Sequence, residues 1–512
     1  MLRFRRLLPI AALLTLVAGL HATAASASST QETIIQDDAL MKADPVGTLA
    51  TFRSLGVTRV RLSVPWVALA PSPNSTKAPR GFKGGDPASY QGWAIYDTIA
   101  RVAQTDGIGL DLMLTGPAPR WATGPGMPKG THLQWKPSAT QFGAFAKAVG
   151  TRYSGHYHGL PRINFWSIWN EPNYGYDLAP QTTNHDSIEV GAALYRGLLS
   201  HAWAGLSQSG HKPGRDTILI GETAPRGLDH GIGSFQGVKP LRFLRALYCV
   251  DSHYRQLRGS AASARGCPTT AGGSRAFRRQ NPALFSAGGF SDHPYASQSR
   301  PAAPNVPTNL NGSGRSDPDF TDLPEVGRLA GVLDRLNRIY GSGKHYSIWS
   351  TEYGYRSKPP DHAGVSLANQ AFYDNWGEYI SYKQKRISSY EQYLLVDPPS
   401  GSFASGLEFN NRKPKPAFDA FRMPLYLPVT STRRGRGIEV WGGARPAHFA
   451  STRQSVAIQF RSGSKGAWKT LKTVPITNKR GYFDTHMTFP SSGQVRLAWS
   501  GFLSRTQNIK VR

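Results

Sequence analysis

Two glutamates stand where a carboxyl group can do chemistry. Glu171 follows the apolar run from Ile163 to Trp169, which stops at Asn170, Glu171 and Pro172. Glu352 follows a second such run, from Tyr346 to Ser350. An apolar strand that stops at an exit loop delivers its last carboxyl to the edge of a buried sheet, where the surroundings set its protonation state. Two such carboxyls facing each other are the equipment for cleaving an acetal. One protonates the leaving oxygen and the other attacks the anomeric carbon, at a separation of about 5 to 5.5 Å. Their neighbours differ. Glu171 follows Trp166, Trp169 and Asn170, a setting expected to desolvate the carboxyl and favour its protonated form. Glu352 lies among Thr351, Tyr353 and Tyr355, whose hydroxyls are expected to stabilise its anion. Glu222, in the segment Gly221 to Pro225, is a third carboxylate at a strand end, and it competes for these roles if the strand count is wrong.

These residues need elements to position them. From about residue 30 to 425 the chain alternates short apolar runs with amphipathic stretches, the pattern of a parallel sheet covered by helices. Eight strands are expected, at 32–35, 58–62, 109–114, 163–168, 217–220, 287–291, 346–350 and 388–395. Helices are expected between them at 45–55, 91–104, 139–153, 188–208, 323–339 and 366–385. Eight such units close into a (β/α)8 TIM barrel, whose site lies at the C-terminal ends of the strands, and both glutamates fall there. A doubly wound sheet is the competing architecture. It would carry a glycine-rich phosphate loop after a strand, and the segments 124–127 and 221–224 are too loose to be one. The long loops 71–86 and 296–319 belong on the rim of that face.

With these anchors in this order, residues 30 to 425 resemble the retaining (β/α)8 glycoside hydrolases of clan A, the cellulase-like superfamily of which family 5 is the best-known member. The resemblance implies that Glu171, ending the fourth strand beside Asn170, is the acid/base, and that Glu352, ending the seventh, is the nucleophile. Val60 to Trp66 is similar to the second-strand arginine motif, which would set Arg61 beside the nucleophile. Asn170 would bond the sugar 2-hydroxyl. Ser291 to Tyr295 is similar to the sixth-strand His-x-Tyr pattern, with His293 facing the acid/base and Tyr295 the nucleophile. The eighth strand departs from the pattern: where relatives place a stacking tryptophan, this chain offers Tyr393 or Gln392.

Each residue has a plainer reading. Glu171 could cap a turn, Arg61 could be a structural ion-pair donor, and His293 and Tyr295 could satisfy each other in the core. Trp121, at the third strand's exit, suits sugar stacking and core packing equally.

Composition bounds the rest. The chain has 512 residues, 39% hydrophobic and 11% aromatic, enough for a large core and more than one domain. Residues 1–27 read as a signal peptide: Arg3, Arg5 and Arg6 precede an apolar stretch from Leu7 to Leu20 and then small residues. The expected product is secreted, extracellular and without a membrane span. Export favours a disulfide between Cys249 and Cys267, the only cysteines; two cysteines without a neighbouring histidine pattern make a poor metal site.

The net charge of +28 is spread through loops and the C-terminal region, which reads as solvated surface or affinity for acidic glycans. No nucleic-acid-binding motif accompanies it. The barrel is assigned residues 28–424. Residues 425–512 alternate short strands with turns and are expected to form a β-sandwich, a glycan-binding module or a structural cap.

The expected activity is retaining hydrolysis of a β-linked polysaccharide or oligosaccharide, by a monomer by default, with no metal or organic cofactor. The alternatives are a non-catalytic glycan- or cell-wall-binding protein on the same scaffold and a basic wall- or nucleic-acid-binding protein. Substrate choice would rest with the loops 71–86, 123–136, 173–186 and 296–319.

Overall fold

The computed structural model describes residues 30–129, 134–229, 232–296 and 317–512. The expected signal segment and most of the loop 296–319 lie outside the described residues. Eight parallel strands close into a barrel: β1 (Glu32–Gln36), β2 (Arg59–Pro65), β3 (Gly109–Thr115), β4 (Phe165–Ile168), β5 (Thr217–Thr223), β6 (Gly289–Asp292), β7 (Ile348–Ser350) and β8 (Ile387–Tyr393). Each pairs with its neighbours in sequence, and β1 pairs with β8 to close the ring. This is the expected (β/α)8 fold, with each strand within a few residues of its predicted place.

The helices form where apolar periodicity and caps coincide. Ser138 caps the helix Ala139–Arg152, and Asp44 with Pro45 opens the helix Pro45–Ser54. The helix Ala139–Arg152 packs closely on Gly191–Gln208 because Gly205 has no side chain: a Cβ there would lie 2.2 Å from the Gly143 carbonyl oxygen. The latter helix starts later than expected because Ile188–Glu189 pairs with Thr182–Thr183 as a small hairpin. The main core fills the space between strands and helices, with Trp66, Trp166 and Trp169 fully buried in it. Among the described residues no helix is long and apolar enough to cross a membrane.

From Leu425 the chain forms two sheets. One joins β9 (Leu425–Tyr426), β11 (Ile438–Gly443) and β14 (Tyr482–Met487). The other joins β10 (Ser431–Thr432), β12 (Gln454–Ser462), β13 (Lys469–Ile476), β15 (Gly493–Trp499), β16 (Phe502–Leu503) and β17 (Gln507–Val511). Val440, Val456, Ile458, Val495 and Leu497 fill the space between them, as alternation in the strands predicts.

This sandwich docks on the helix Leu367–Lys383 and on the start of β1. Buried Arg445 pairs with Glu378, whose other oxygen accepts from Tyr482, 2.5 Å away. Arg480 reaches Glu32 at 3.1 Å. Glu32 begins its strand, so the sandwich meets the barrel away from the C-terminal strand ends.

The sulfurs of Cys249 and Cys267 are 2.09 Å apart, at bonding distance.

Candidate active site

A cleft of about 830 Å³ opens at the C-terminal ends of the strands, and Asn170, Glu171, Tyr295, Glu352 and Tyr393 line it. Beneath it the barrel interior is polar. Arg61, fully buried on β2, donates from Nη1 to Glu352 Oε1 at 2.8 Å. Its Nη2 donates to Glu222 Oε2 at 2.9 Å and to Asn170 Oδ1 at 3.1 Å. Gln36 on β1 accepts from Nη1 as well. Burial alone would lower the guanidinium's pKa, but Glu222, Glu352, Glu391 and Asp111 outweigh it and raise the pKa well above the usual value.

His293, one residue past β6, is the second buried cation. Its Nδ1 stands 2.9 Å from Glu171 Oε1 and 3.6 Å from Glu352 Oε2, and its Nε2 3.0 Å from Glu222 Oε2. Burial pulls the imidazole's pKa down. The charges of Glu352, Glu171 and Glu222 reverse that and hold it well above the histidine range. With carboxylates at both ring nitrogens the ring is set up as a double donor. Glu222 is held in turn: burial would raise its pKa, but Arg61 and His293 bring it to about 2.

Glu171 and Glu352 face each other across this network. A carboxylate oxygen of one lies within 4.8 Å of a carboxylate oxygen of the other. Together with His293 Nδ1 these oxygens could supply three donors to a metal ion. The set fits an ion-pair network better, since Glu352 already faces a guanidinium and both His293 nitrogens face carboxylates. The backbone has positive φ at Trp169 (71°), Glu171 (34°) and Glu222 (51°). L-residues rarely adopt that region, and such strain concentrates at functional sites.

The structure brings Arg61, Asn170, Glu171, His293, Tyr295, Glu352 and Tyr393 together, but corrects the surroundings expected for the two glutamates. Trp166 and Trp169 do not cover Glu171. Strand alternation turns Trp166 outward onto His211, and Trp169 packs edge-on against Phe142 of a covering helix. The hydroxyl at Glu352 comes from Tyr295, which donates to Oε2 at 3.2 Å, and not from its neighbours in the chain. Thr351 instead donates to Glu222 at 2.9 Å, while Tyr353 and Tyr355 are buried.

Trp121 is not among the cleft residues. It lies in an aromatic cluster, 5.9 Å from Trp66 and 5.0 Å from Phe82, with its indole N–H on the Pro71 carbonyl. Gln392 is likewise removed, buried with its amide on the Ser405 carbonyl. Tyr393 does line the cleft.

Other residues are contributed by positions that no strand pattern singles out. Phe403, 40% exposed, sits edge-on to Tyr295 and Tyr393 at 5.5 and 5.6 Å. Asp177 accepts from the Asn170 amide at 3.1 Å, and burial together with the nearby Glu171 pushes its carboxyl up to about 8. Asp38 accepts from the Ser63 hydroxyl at 2.7 Å on the cleft wall. The only advance signal was position: Asp177 and Phe403 lie in strand-exit loops, and Asp38 opens the short helix Asp38–Ala43 that follows β1.

No family model matches this chain, and no curated protein matches its sequence. Solved structures similar to it include a family 39 glycoside hydrolase from the gut symbiont Bacteroides cellulosilyticus WH2 (TM-score 0.47, 14% identity, covering 90% of this chain and 80% of that one). A glucosidase from Croceicoccus marinus aligns with TM-score 0.44 and 12% identity over 85% of this chain and 78% of that one. A GH30 endoxylanase from Clostridium papyrosolvens C71 aligns with TM-score 0.45 and 10% identity over 91% of this chain and 95% of that one.

Proposed function

We propose that this protein is a secreted glycoside hydrolase that cleaves β-linked carbohydrate with retention of configuration. The observation that carries this reading is the facing pair of Glu171 and Glu352, with oxygens within 4.8 Å at the mouth of an 830 Å³ cleft. That spacing is of the order that direct attack by one carboxylate requires.

Glu352 is the attacking group. Arg61 and Tyr295 fix both of its oxygens, so it is oriented before substrate arrives. Glu171 is the proton donor. In the first step Glu352 bonds to the anomeric carbon, the glycosidic C–O bond breaks, and the departing oxygen takes the Glu171 proton. In the second, Glu171 takes a proton from water, whose oxygen displaces Glu352 from the sugar. Asn170, fixed between Arg61 and Asp177, presents its amide group to the cleft, where it suits a sugar hydroxyl. Tyr393 and Phe403 offer rings for the sugar's apolar face.

The test is covalent trapping with 2-deoxy-2-fluoro β-glycosides of a panel of sugars, followed by peptide mass spectrometry. A glycosyl ester on Glu352 is expected. An unlabelled protein that still hydrolyses glycosides, or an ester on another residue, would overturn the assignment. Fluorosugar binding without an ester or turnover would favour a glycan-binding protein.

A further inference from the structure

A second cavity, of about 390 Å³, adjoins the cleft and shares Glu171, Pro225 and Arg226 with it. Glu171 therefore stands in the wall between two spaces. Its other walls come from the loops after β4 and β5. The first loop contributes Tyr174 and Tyr176, with ring centroids 5.2 Å apart, and the second Leu228 and Phe235. Tyr176 is 64% exposed and Leu228 45%, which is unusual for two large side chains beside one cavity.

The cavity is built into the fold. Buried Asn173 ties the two loops together: its amide donates to the carbonyls of Ala224 and Val238 at 3.0 and 2.9 Å, and its Oδ1 accepts from the Ala224 N–H at 2.8 Å. At Gly175 the loops come so close that a Cβ would lie 2.2 Å from Phe235 Cα. The walls are thus held in place before any ligand arrives.

The chemistry of the walls limits the occupant. Arg226 spends its Nε and Nη2 on Asp322, with Nε at 2.8 Å, so among the described residues the other polar side chains along the wall, besides Glu171, are the two tyrosine hydroxyls and Gln236. A further sugar ring would bring several hydroxyls, each needing a partner once desolvated. A flat apolar ring needs none and gains by stacking on tyrosine.

We infer that this cavity receives the leaving group of the glycoside, and that the leaving group is an apolar ring such as an aryl alcohol. This rests on Glu171 being the proton donor. As the C–O bond breaks, the Glu171 proton passes to the departing oxygen, and the neutral alcohol occupies the cavity until water replaces it.

The test pairs two substrates with the same sugar, a 2-naphthyl β-glycoside and the β-glycosyl fluoride, whose leaving group is too small to fill the cavity. In Tyr176→Ala and Leu228→Asn the ratio of kcat/KM for the naphthyl glycoside to that for the fluoride is expected to fall about tenfold or more. An unchanged ratio overturns the inference while leaving the hydrolase reading intact. Binding of free 2-naphthol, followed by NMR, gives a readout independent of turnover. Saturable binding weakened at least about fivefold in both variants is expected for loss of ring contacts. No binding, or binding that both substitutions leave unaltered, overturns the inference whatever the hydrolysis assay shows. If naphthol binds as expected but no glycoside is cleaved, the hydrolase reading fails and the apolar site stands.

Discussion

Glu222 accepts from His293 Nε2 at 3.0 Å while the opposite nitrogen of the same ring reaches Glu171 at 2.9 Å. The same oxygen of Glu222 also holds Arg61, the residue that grips Glu352. One buried carboxylate thus fixes the cations behind both candidate catalytic groups. It is a positioning residue: it is fully buried, lies outside the cleft lining and acts through its neighbours.

Glu222→Gln keeps the shape and removes the charge. The expected result is a fall in kcat of about a hundredfold with KM little changed, because preorganisation is lost and not substrate contact. The charge of Glu222 helps hold the His293 pKa up, so its removal lowers that pKa. Where loss of the His293 proton shapes the alkaline limb of the pH–rate profile, that limb should therefore move to lower pH. A purely structural role would lower thermal stability without moving that limb.

Removing the proton donor has a separate signature. Glu171→Ala should cost about 10² to 10⁴ in rate on glycosides with poor leaving groups and much less on activated ones, where proton donation is dispensable. Azide, a small anion that needs no general base, should restore turnover of activated substrates and give the β-glycosyl azide. NMR of the product checks both the rescue and the retained configuration.

Stability should fall as pH rises from the acid range. Burial raises Asp111 and Asp292 to about 7, Asp177 to about 8 and Glu391 well above the carboxylate range. Each group binds its proton more tightly folded than unfolded. Its contribution is complete below about pH 4 and is lost as pH rises through about 7 to 8. Glu222 acts in the opposite sense: its contribution is present above about 4.5 and is lost as pH falls toward about 2. Scanning calorimetry should find the highest Tm between about pH 4 and 6 and a decline toward pH 8. A Tm that rises steadily to pH 8 would show that these acids are not buried in their neutral form.

The barrel was legible because its signal is periodic: apolar runs alternate with amphipathic stretches, and Glu171 and Glu352 stop two of the runs at the same end. What lies around them was not legible, because it depends on which way side chains turn. Trp166 and Trp169 precede Glu171 in sequence, yet they pack on His211 and Phe142 outside the barrel, and Tyr295 reaches Glu352 from the exit of β6. Glu222 could be seen as a third carboxylate at a strand end, but its partners Arg61, His293 and Thr351 come from three other strands or their exits. Such contacts have no sequence period.

Trp121 and Phe403 make this distinction measurable. Trp121, whose place at a strand exit suits sugar stacking and core packing equally, packs with Trp66 and Phe82, whereas Phe403, in an undistinguished loop, faces the cleft. Trp121→Ala should lower stability by about 2 to 4 kcal/mol with little effect on KM, as expected for a large side chain in a partly exposed cluster. Phe403→Ala should leave Tm nearly unchanged and raise KM by about threefold to tenfold through lost stacking. Denaturant unfolding and steady-state kinetics on the two variants decide it; the opposite pattern would put Trp121 at the substrate.

Arg445 ties the sandwich to the barrel. Its guanidinium is buried on Glu378, and burial outweighs that pairing enough to lift the carboxyl to about 7. Arg445→Ala would strand Glu378 without its cation, a loss of about 3 kcal/mol where the carboxylate is ionised. Below its folded pKa, Glu378 escapes much of that cost by taking up a proton. The variant should therefore be destabilised more at pH 8 than at pH 5, and Glu378→Gln added to it should remove most of the pH dependence. Because none of residues 425–512 lines the cleft, kcat/KM of the folded variant should stay within about twofold of wild type. A loss of activity without a loss of Tm would instead mean that the sandwich shapes the site from a distance.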